Sequence, residues 1–406
     1  MTVPSNGLGL ALFADEFLQD PYPLYARMLA DAPVHPIGDS GFHAVCGWDA
    51  VNDAVTRPED FSSNLTGTMV YQPDETVGLF PMDELGGPTQ VLAIADDPAH
   101  AAHRKKLVPS LAARRIGTLE AFVTETIASL WRDEVQNGRV EWMSAVANRL
   151  PMMVVCRLVG VPDEDADQLA AWGYASTQLL EGLVSQEQLA AAGVAAMELA
   201  AYVARKFEQG GENPRDSLMG ELATACATDD LDVMTAQMMI ITLFSAGSES
   251  TASLIGSATN IVATRPDIQD RLRADLGLIP AFLEEVLRFE PPFRGHYRHV
   301  LRDCTLAGYD LAAGSHLILL WGAANRDPEH FESPNEVLLD RPNSKGHIAF
   351  GKGAHFCVGA ALARLEARIV VEHLLAHSTA IEKIEPARWL PSLLVRRLET
   401  LCLRIG

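Results

Sequence analysis

The sequence is poor in cysteine and in basic residues. Its six cysteines are scattered over 406 residues and form no CxxC pair, which argues against a disulfide framework and indicates a reducing compartment. Lysine and arginine number 32 against 53 acidic residues, so the net charge is −21. A surface this acidic does not suit nucleic acid or an anionic membrane as a general partner. We therefore expect a cytoplasmic protein that binds neither.

A membrane-spanning leader and a nucleotide-binding glycine motif are also missing. The apolar stretch from Leu8 to Phe13 is too short for a span, and no basic residue precedes it as in a signal peptide. GxGxxG is absent, so a fused flavin or nicotinamide module is not expected. Because we find no internal repeat and no linker, residues 1–406 are predicted to form a single domain.

Helical periodicity dominates the sequence. It predicts helices over Pro21 to Ala30, Trp48 to Thr56, Thr118 to Gln136 and Ala360 to His377, and a long buried helix over residues 232–264. Residues 62–97 are punctuated by glycine and proline, which indicates a long loop, either a binding wall or plain surface. Short strands are expected after residue 299. The predicted fold is mainly α with small β-sheets.

The strongest motif is the segment from Phe350 to Gly359, F-G-K-G-A-H-F-C-V-G. Its five fixed positions match F-x-x-G-x-(H/R)-x-C-x-G, and a chance match in a chain of this length is about 1 in 10,000. The glycines permit a tight turn, and Cys357 precedes a helix whose first amides favour a thiolate. The segment resembles the haem-binding signature of the cytochrome P450 family. The resemblance implies that Cys357 is the axial ligand of the haem iron, and that Phe350 and Gly359 belong to the haem site.

Two further sets of residues match the family. Glu285 and Arg288 correspond to its E-x-x-R motif, and Arg341 stands where the third member of that ion-pair network is found. The resemblance implies a structural role for this network beneath the haem. The haem propionates need cationic partners, and the corresponding positions in this sequence are His100, Arg104, Arg298 and His355.

The long helix contains Ala246-Gly-Ser-Glu-Ser-Thr251, which is similar to the family's A-G-x-(D/E)-T motif. In the family, the glycine opens a local bulge and an acid–alcohol pair delivers protons to dioxygen. Here serine occupies the alcohol position and threonine follows it. The resemblance implies Glu249 as the relay acid and Ser250 as the alcohol, with Thr251 as the alternative. If Ser250 faces the iron, Thr251 should point away, since a helix turns about 100° per residue. The Ser250 hydroxyl could instead bind only its own helix backbone.

These residues predict a haem-thiolate monooxygenase with the family's single-domain fold, haem b lying between the long central helix and the Cys357 loop. Electrons are expected from NAD(P)H through a reductase and a ferredoxin, because the sequence shows no redox module of its own. The ferredoxin would dock on a local basic cluster, formed by Arg104, Lys105, Lys106, Arg114, Arg115 and Lys352. A peroxygenase that uses hydrogen peroxide and a haem-based sensor are the alternatives.

The substrate is expected to be a small lipophilic molecule, because the predicted pocket is mostly apolar. Besides residues 62–97, the positions expected to line it are Ser245, Ala246, Phe293, Arg294, Leu393 and Leu394. Arg294 is the polar exception, and it would either anchor a substrate carboxylate or point to solvent.

Overall fold

α-Helices make up most of the described chain. The computed structural model describes residues 7–82, 89–181, 185–209 and 217–406. The α-helices are α1 (Asp15–Gln19), α2 (Tyr22–Asp31), α3 (Trp48–Thr56), α4 (Ala99–Leu107), α5 (Ala113–Gly117), α6 (Glu120–Glu134), α7 (Leu150–Val159), α8 (Ala166–Thr177), α9 (Gln186–Glu208), α10 (Leu218–Ala227), α11 (Val233–Thr264), α12 (Pro266–Ala274), α13 (Ile279–Phe289), α14 (Trp321–Ala324) and α15 (Ala360–Ala376). The helices expected from periodicity are confirmed to within a residue or two at each end.

The strands are short and form small sheets. They are β1 (Val34–Pro36), β2 (Phe42–Val45), β3 (Phe61–Ser62), β4 (Gly67–Tyr71), β5 (Val77–Pro81), β6 (Arg139–Glu141), β7 (His296–Val300), β8 (Cys304–Leu306), β9 (Tyr309–Leu311), β10 (His316–Leu319), β11 (Ile381–Lys383), β12 (Arg388–Trp389), β13 (Leu398–Thr400) and β14 (Cys402–Ile405). The largest sheet has the order β1-β2-β10-β7-β3, in which only β2 and β10 run parallel. The other sheets are β11-β14-β6 and the pairs β12-β13, β4-β5 and β8-β9. A mainly α fold with small sheets is therefore confirmed.

Helix α11 forms the centre of the fold. Its 32 residues begin after Asp232, whose side chain accepts the Thr235 amide at 2.8 Å, and end before Pro266. At 1.5 Å per residue the helix is about 50 Å long, and it packs against α7, α8, α9 and α15. By length and composition it could cross a membrane, but 56% of its most apolar window is buried inside the protein. That burial is typical of a core helix.

Residues 62–97 are more ordered than the glycine and proline content suggested. Strands β4 and β5 pair in register from Gly67 with Pro81 to Tyr71 with Val77. The turn between them is closed by the Gln72 amide, which donates to the Thr76 carbonyl at 2.9 Å. The predicted long loop therefore contains a β-hairpin, because β-branched and aromatic residues in both halves let the segment pair with itself. Residues 83–88 lie outside the described part of the chain.

Candidate active site

A large cavity lies where α11 meets the Phe350–Gly359 segment. Its empty space, including the open solvent at its mouth, is about 1480 Å³. Cys357 and the middle of α11 both line this space. Much of the remaining wall is apolar, with contributions from Leu92, Val155, Leu158, Leu243, Leu254 and Phe293. The cavity is thus a mostly apolar space between the Cys357 segment and the middle of α11.

The backbone around Cys357 presents its thiol to the cavity. The Cys357 amide donates to the Phe350 carbonyl at 2.8 Å, and Gly351 and Gly353 both have φ of +67°. Such a φ is costly for any residue with a side chain. The exposed surface of Cys357 faces the cavity. Burial in the protein raises the pKa of the thiol, whereas the Gly359 amide and the nearby charge of Arg104 lower it. An iron ion bound to the sulfur would favour the thiolate outright.

All four side chains predicted to bind the propionates line the same cavity, namely His100, Arg104, Arg298 and His355. The rings of His100 and His355 stack with their centroids 3.9 Å apart. Arg298 is only 8% exposed, and burial lowers the pKa of its guanidinium to about 10. Buried guanidinium groups need anionic partners, so this set fits the two propionates of a haem.

The hydrogen bonds of this group leave donors available. Arg104 Nη1 donates to the Phe356 carbonyl at 2.8 Å, which ties α4 to the Cys357 segment. His355 Nε2 lies 3.1 Å from the Ser63 hydroxyl, while its buried Nδ1 has no hydrogen-bond partner among the described residues. Buried polar atoms normally have a hydrogen-bond partner, so a propionate oxygen in the cavity would give His355 Nδ1 its partner. The residues present therefore fit haem b.

The three residues of the predicted ion-pair network, Glu285, Arg288 and Arg341, lie in contact with one another. Arg288 Nε and Arg341 Nε both donate to Glu285 Oε1 at 2.8 Å, and Arg288 Nη2 donates to Glu285 Oε2 at 3.0 Å. The two arginines also bind backbone carbonyls of residues 325–336, including Pro334 and Glu336. Helix α13 is thereby fastened to the long segment that leads to Phe350. The Arg364 guanidinium lies over the Phe350 ring, with its Cζ atom 4.5 Å from the ring centroid.

Helix α11 presents a stripe two residues wide to the cavity, consisting of Thr242, Leu243, Ala246, Gly247, Ser250, Thr251 and Leu254. Thr251, which was expected to point away from the iron if Ser250 faces it, thus lines the cavity together with Ser250. The Ser250 hydroxyl donates to the Ala246 carbonyl at 2.8 Å and the Thr251 hydroxyl to the Gly247 carbonyl at 3.0 Å. The helix is uninterrupted from Val233 to Thr264, so the bulge expected at Gly247 is also not seen. A Cβ atom at Gly247 would lie 3.2 Å from Val155, so this glycine allows α7 to pack closely.

Glu249 lies outside the cavity lining. It is buried, and its Oε1 accepts from Arg397 Nε at 3.2 Å. Arg397 also donates to Asn148 Oδ1 at 3.2 Å and lies over the Tyr174 ring. Burial raises the pKa of the Glu249 carboxyl, while the charge of Arg397 opposes that shift. The carboxyl and the two hydroxyls are thus on neighbouring faces of one helix.

Two of the six expected pocket residues, Ala246 and Phe293, line the cavity. Ser245 lies where α11 crosses α8, its Cα 3.5 Å from a Cβ built on Gly173. Arg294 is 1% exposed and donates to the Phe17 carbonyl at 3.3 Å and the Leu18 carbonyl at 2.5 Å. Arg294 therefore neither points to solvent nor lines the cavity where a substrate carboxylate would bind, because its guanidinium binds carbonyls at the end of α1. Leu393 and Leu394 are buried behind Phe293 rather than in the lining.

Several lining residues, among them Trp321 and Glu366, were not predicted from the sequence. The rings of His296 and Trp321 lie beside the cavity with their centroids 4.5 Å apart and their planes tilted by 31°. The buried Trp321 indole nitrogen has no hydrogen-bond partner among the described residues. Glu366 is a buried carboxyl at the cavity floor, and burial raises its pKa well above the ordinary value. Trp321 carries no local sequence pattern that would mark it as a lining residue. Glu366 could have been noticed, because it lies on the apolar face of α15, where a carboxylate is unusual.

The basic cluster is partly neutralised. Lys106 forms an ion pair with Asp230, and Arg115 forms one with Glu221. Lys352 Nζ donates to Asn52 Oδ1 at 2.6 Å and keeps its charge. Lys105 and Arg114 are exposed, and among the described residues neither forms an ion pair. The positive charge available on this surface is smaller than the sequence suggested.

Comparisons with known proteins identify the family. A family model described as Cytochrome P450 matches residues 195–380. The chain is 62% identical over 393 residues to Cytochrome P450 144 of Mycobacterium tuberculosis, covering 97% of this chain and 91% of that protein. It is 32% identical to Vitamin D(3) 25-hydroxylase of Pseudonocardia autotrophica, covering 90% of this chain and 88% of that one.

Solved structures agree with the sequence comparisons. CYP109E1 of Bacillus megaterium in complex with testosterone superposes with a TM-score of 0.86 at 26% identity, covering 97% of this chain and all of that one. CYP109Q5 of Chondromyces apiculatus superposes with a TM-score of 0.83 at 28% identity, covering 97% of each chain. The chain belongs to the cytochrome P450 family and is a haem b monooxygenase.

Proposed function

We propose that this monooxygenase inserts one atom of dioxygen into a small lipophilic substrate, using electrons that a ferredoxin delivers from NAD(P)H through a reductase. The observation that carries the proposal is that Cys357 and the Ser250–Thr251 hydroxyls line one cavity whose remaining wall is mostly apolar. When bound, haem b supplies the binding and activation of dioxygen. The chain supplies the sulfur ligand, the partners of the propionates and the route for protons.

We assign Cys357 as the iron ligand and His100, Arg104, Arg298 and His355 as partners of the propionates. Support comes from the cavity that these residues share and from the partnerless His355 Nδ1. Glu285, Arg288 and Arg341 would hold the Cys357 segment in place. We further propose that the chain acts as a single haem-binding domain, since α11 packs against helices from both halves of the sequence.

The proton route proposed here begins at Glu249. Its raised pKa lets the carboxyl carry a proton nearer neutral pH than an exposed glutamate does. In the described arrangement Arg397 holds Glu249 away from the cavity, so release from Arg397 precedes proton delivery. The Ser250 and Thr251 hydroxyls then lie at the cavity wall and can pass a proton by rotating away from their helix carbonyls.

Electron delivery is proposed at the surface around Lys105 and Arg114. Both side chains are exposed, and Arg104 on the same helix reaches the Phe356 carbonyl next to Cys357. An acidic ferredoxin would be attracted to this surface even though the protein as a whole is acidic. Lys352, within the Cys357 segment, extends the positive charge.

A lipophilic substrate is favoured by the apolar cavity wall. The name of one relative, Vitamin D(3) 25-hydroxylase, describes the hydroxylation of an organic molecule. Because the Arg294 guanidinium binds Phe17 and Leu18, a substrate carboxylate is not required.

The deciding experiment supplies purified haem-loaded protein with NADH, a ferredoxin and its reductase. Candidate lipophilic substrates are first selected by the spectral shift that they cause in the haem. Oxygen-dependent product with this electron chain is the expected result. Turnover with hydrogen peroxide alone would instead favour the peroxygenase, and substrate binding without turnover from either oxidant would favour a sensor.

A further inference from the structure

Glu181 is a buried carboxyl that the function described so far does not use. It follows α8 and a short 3-10 turn, and only 8% of it is exposed. Its Oε2 accepts the amides of Leu393 at 2.9 Å and Leu394 at 3.3 Å, and its Oε1 accepts the Ser392 hydroxyl. One side chain therefore receives three hydrogen bonds from the turn at residues 392–394, which we call the carboxyl-bound turn.

The hydrogen bonds of Ser392 suit an ionised partner. Ser392 Oγ accepts the Leu394 amide at 3.1 Å and the Val395 amide at 2.7 Å. A hydroxyl oxygen has two lone pairs and one hydrogen. Since both lone pairs are occupied, the hydrogen is left for Glu181 Oε1. A protonated Glu181 would place a second hydrogen in that contact, so the turn is arranged for a carboxylate.

The carboxyl-bound turn is joined directly to the cavity wall. The Arg294 amide donates to the Leu394 carbonyl at 2.7 Å, and the Arg396 amide donates to the Pro292 carbonyl at 2.8 Å. Val395 pairs with Phe293 in an isolated antiparallel bridge. Pro292 and Phe293 both line the cavity. Displacement of the turn would therefore move a wall that faces bound substrate.

Charged and titratable groups surround Glu181 from several elements. Glu249 on α11 disfavours a second negative charge, whereas Arg294, next to β7, favours one. Tyr297 on β7 donates to the Leu180 carbonyl at 3.4 Å and interacts with the Glu181 charge. Burial dominates and raises the pKa of Glu181 to about 7, although the three hydrogen bonds oppose it. Both protonation forms are thus accessible near neutral pH.

We propose that Glu181 is a positioning residue whose carboxylate holds the carboxyl-bound turn, and with it the Pro292–Phe293 wall, in the form that accepts ligands extending to Phe293. The inference rests on the proposed function in taking this cavity as the substrate pocket. Protonation removes an acceptor and loosens the wall. Affinity for ligands that reach Phe293 therefore falls as the pH falls through neutrality, while affinity for ligands too small to reach it does not change.

The test compares two iron-binding probes on the haem-loaded protein, 4-phenylpyridine, which extends along the pocket, and pyridine, which does not. Dissociation constants are measured optically between about pH 6 and pH 8, for wild type, Glu181→Ala, Glu181→Gln and Ser392→Ala. Glu382→Gln is the matched control, since Glu382 is an exposed glutamate on β11 paired with Arg404. Hydrogen exchange of the peptide that contains Leu393 and Leu394 reports on the turn itself.

For wild type we expect the affinity for 4-phenylpyridine to fall severalfold as the pH is lowered, with pyridine unchanged. Glu181→Ala and Ser392→Ala should bind 4-phenylpyridine about tenfold more weakly at pH 8 and exchange the turn amides faster. Glu181→Gln should lose the pH dependence. If Glu181→Ala does not fold, Glu181→Gln and Ser392→Ala decide the question.

Equal effects on both probes, or a wild-type profile that matches Glu181→Gln, would overturn the inference. Thermal stability separates positioning from a purely structural role. A raised pKa in the folded protein means that the contribution of Glu181 to stability is lost as the pH rises through about 7. Lower pH should therefore favour folding while it weakens 4-phenylpyridine binding. Failure of the proposed function would look different, since the haem-loaded protein would still bind both probes but would form no oxygen-dependent product with NADH, ferredoxin and reductase.

Discussion

Glu285 Oε1 accepts one hydrogen bond from Arg288 and another from Arg341, each at 2.8 Å, in a site where all three side chains are almost fully buried. The burial of Glu285 would by itself favour the neutral acid, yet the arginines and the Leu338 amide hold its pKa below the ordinary value. The network is ionic and joins α13 to the segment before Cys357. Arg341 lies 56 residues after Glu285 along the chain.

Breaking this network should cost much more than breaking a surface pair. Arg341→Ala leaves Glu285 and Arg288 buried with an incomplete set of partners, which we expect to lower the free energy of unfolding by about 3–5 kcal/mol. Denaturant unfolding measures the loss. Arg265→Ala, which breaks the exposed pair with Asp267, is the control and should cost no more than about 1 kcal/mol. Similar losses in the two variants would contradict a special role for the network.

Cys357→His should abolish the strongly red-shifted ferrous–CO absorption band of a thiolate-ligated haem. The imidazole nitrogen donates less electron density to the iron than the sulfur does. The spectrum of the reduced protein under carbon monoxide checks this result. Cys402→Ser should leave the band unchanged, because Cys402 lies on β14 outside the cavity lining. A Cys357→His variant that kept the band would show that the ligand is another residue.

The two hydroxyls on α11 are expected to differ in proton delivery. Ser250→Ala should leave haem binding intact but divert electrons to hydrogen peroxide, with product per NADH falling severalfold. Ser250→Thr should couple at least as tightly as wild type, because β-branching restricts the hydroxyl's rotamers. The product-to-NADH ratio is the measurement.

Thr251→Ala is the paired variant, since Thr251 also lines the cavity. Should Thr251→Ala uncouple the reaction and Ser250→Ala leave it coupled, the relay alcohol is Thr251. If neither change matters, protons reach the cavity through water alone and both hydroxyls serve only their helix carbonyls.

The double change Lys105→Glu with Arg114→Glu should slow reduction by ferredoxin about tenfold at low salt. Both charges are exposed, so their attraction is screened beyond about 10 Å at 0.1 M salt. Stopped-flow reduction rates across a salt series provide the measurement, and the variant should show a flatter salt dependence than wild type. Arg132→Glu, which changes an exposed arginine on α6 outside the cluster, is the control. Identical salt slopes in all three proteins would exclude this surface as the docking site.

Contacts within a single turn or helix could be predicted from the sequence. The segment from Phe350 to Gly359 places its glycines, His355 and Cys357 by local backbone geometry, and its resemblance to the family's signature indicated the haem site. Glu285 and Arg288 share one helix face for the same reason. The length and burial of α11 followed from an apolar pattern nearly all round its middle.

Only the tertiary structure decided which side chains reach the cavity and which charges find partners. Arg397 binds Glu249, which is 148 residues away in the sequence. Lys106 on α4 forms an ion pair with Asp230, which lies just before α11. Arg294 turns to the carbonyls of α1, and Leu393 and Leu394 turn to Glu181 instead of the pocket. Such pairings depend on how distant elements pack, because a buried charge or amide binds whatever partner the fold brings within about 3 Å. The sequence by itself therefore determined the family, the fold class and the motif that names Cys357, whereas long-range packing decided the shape and electrostatics of the pocket.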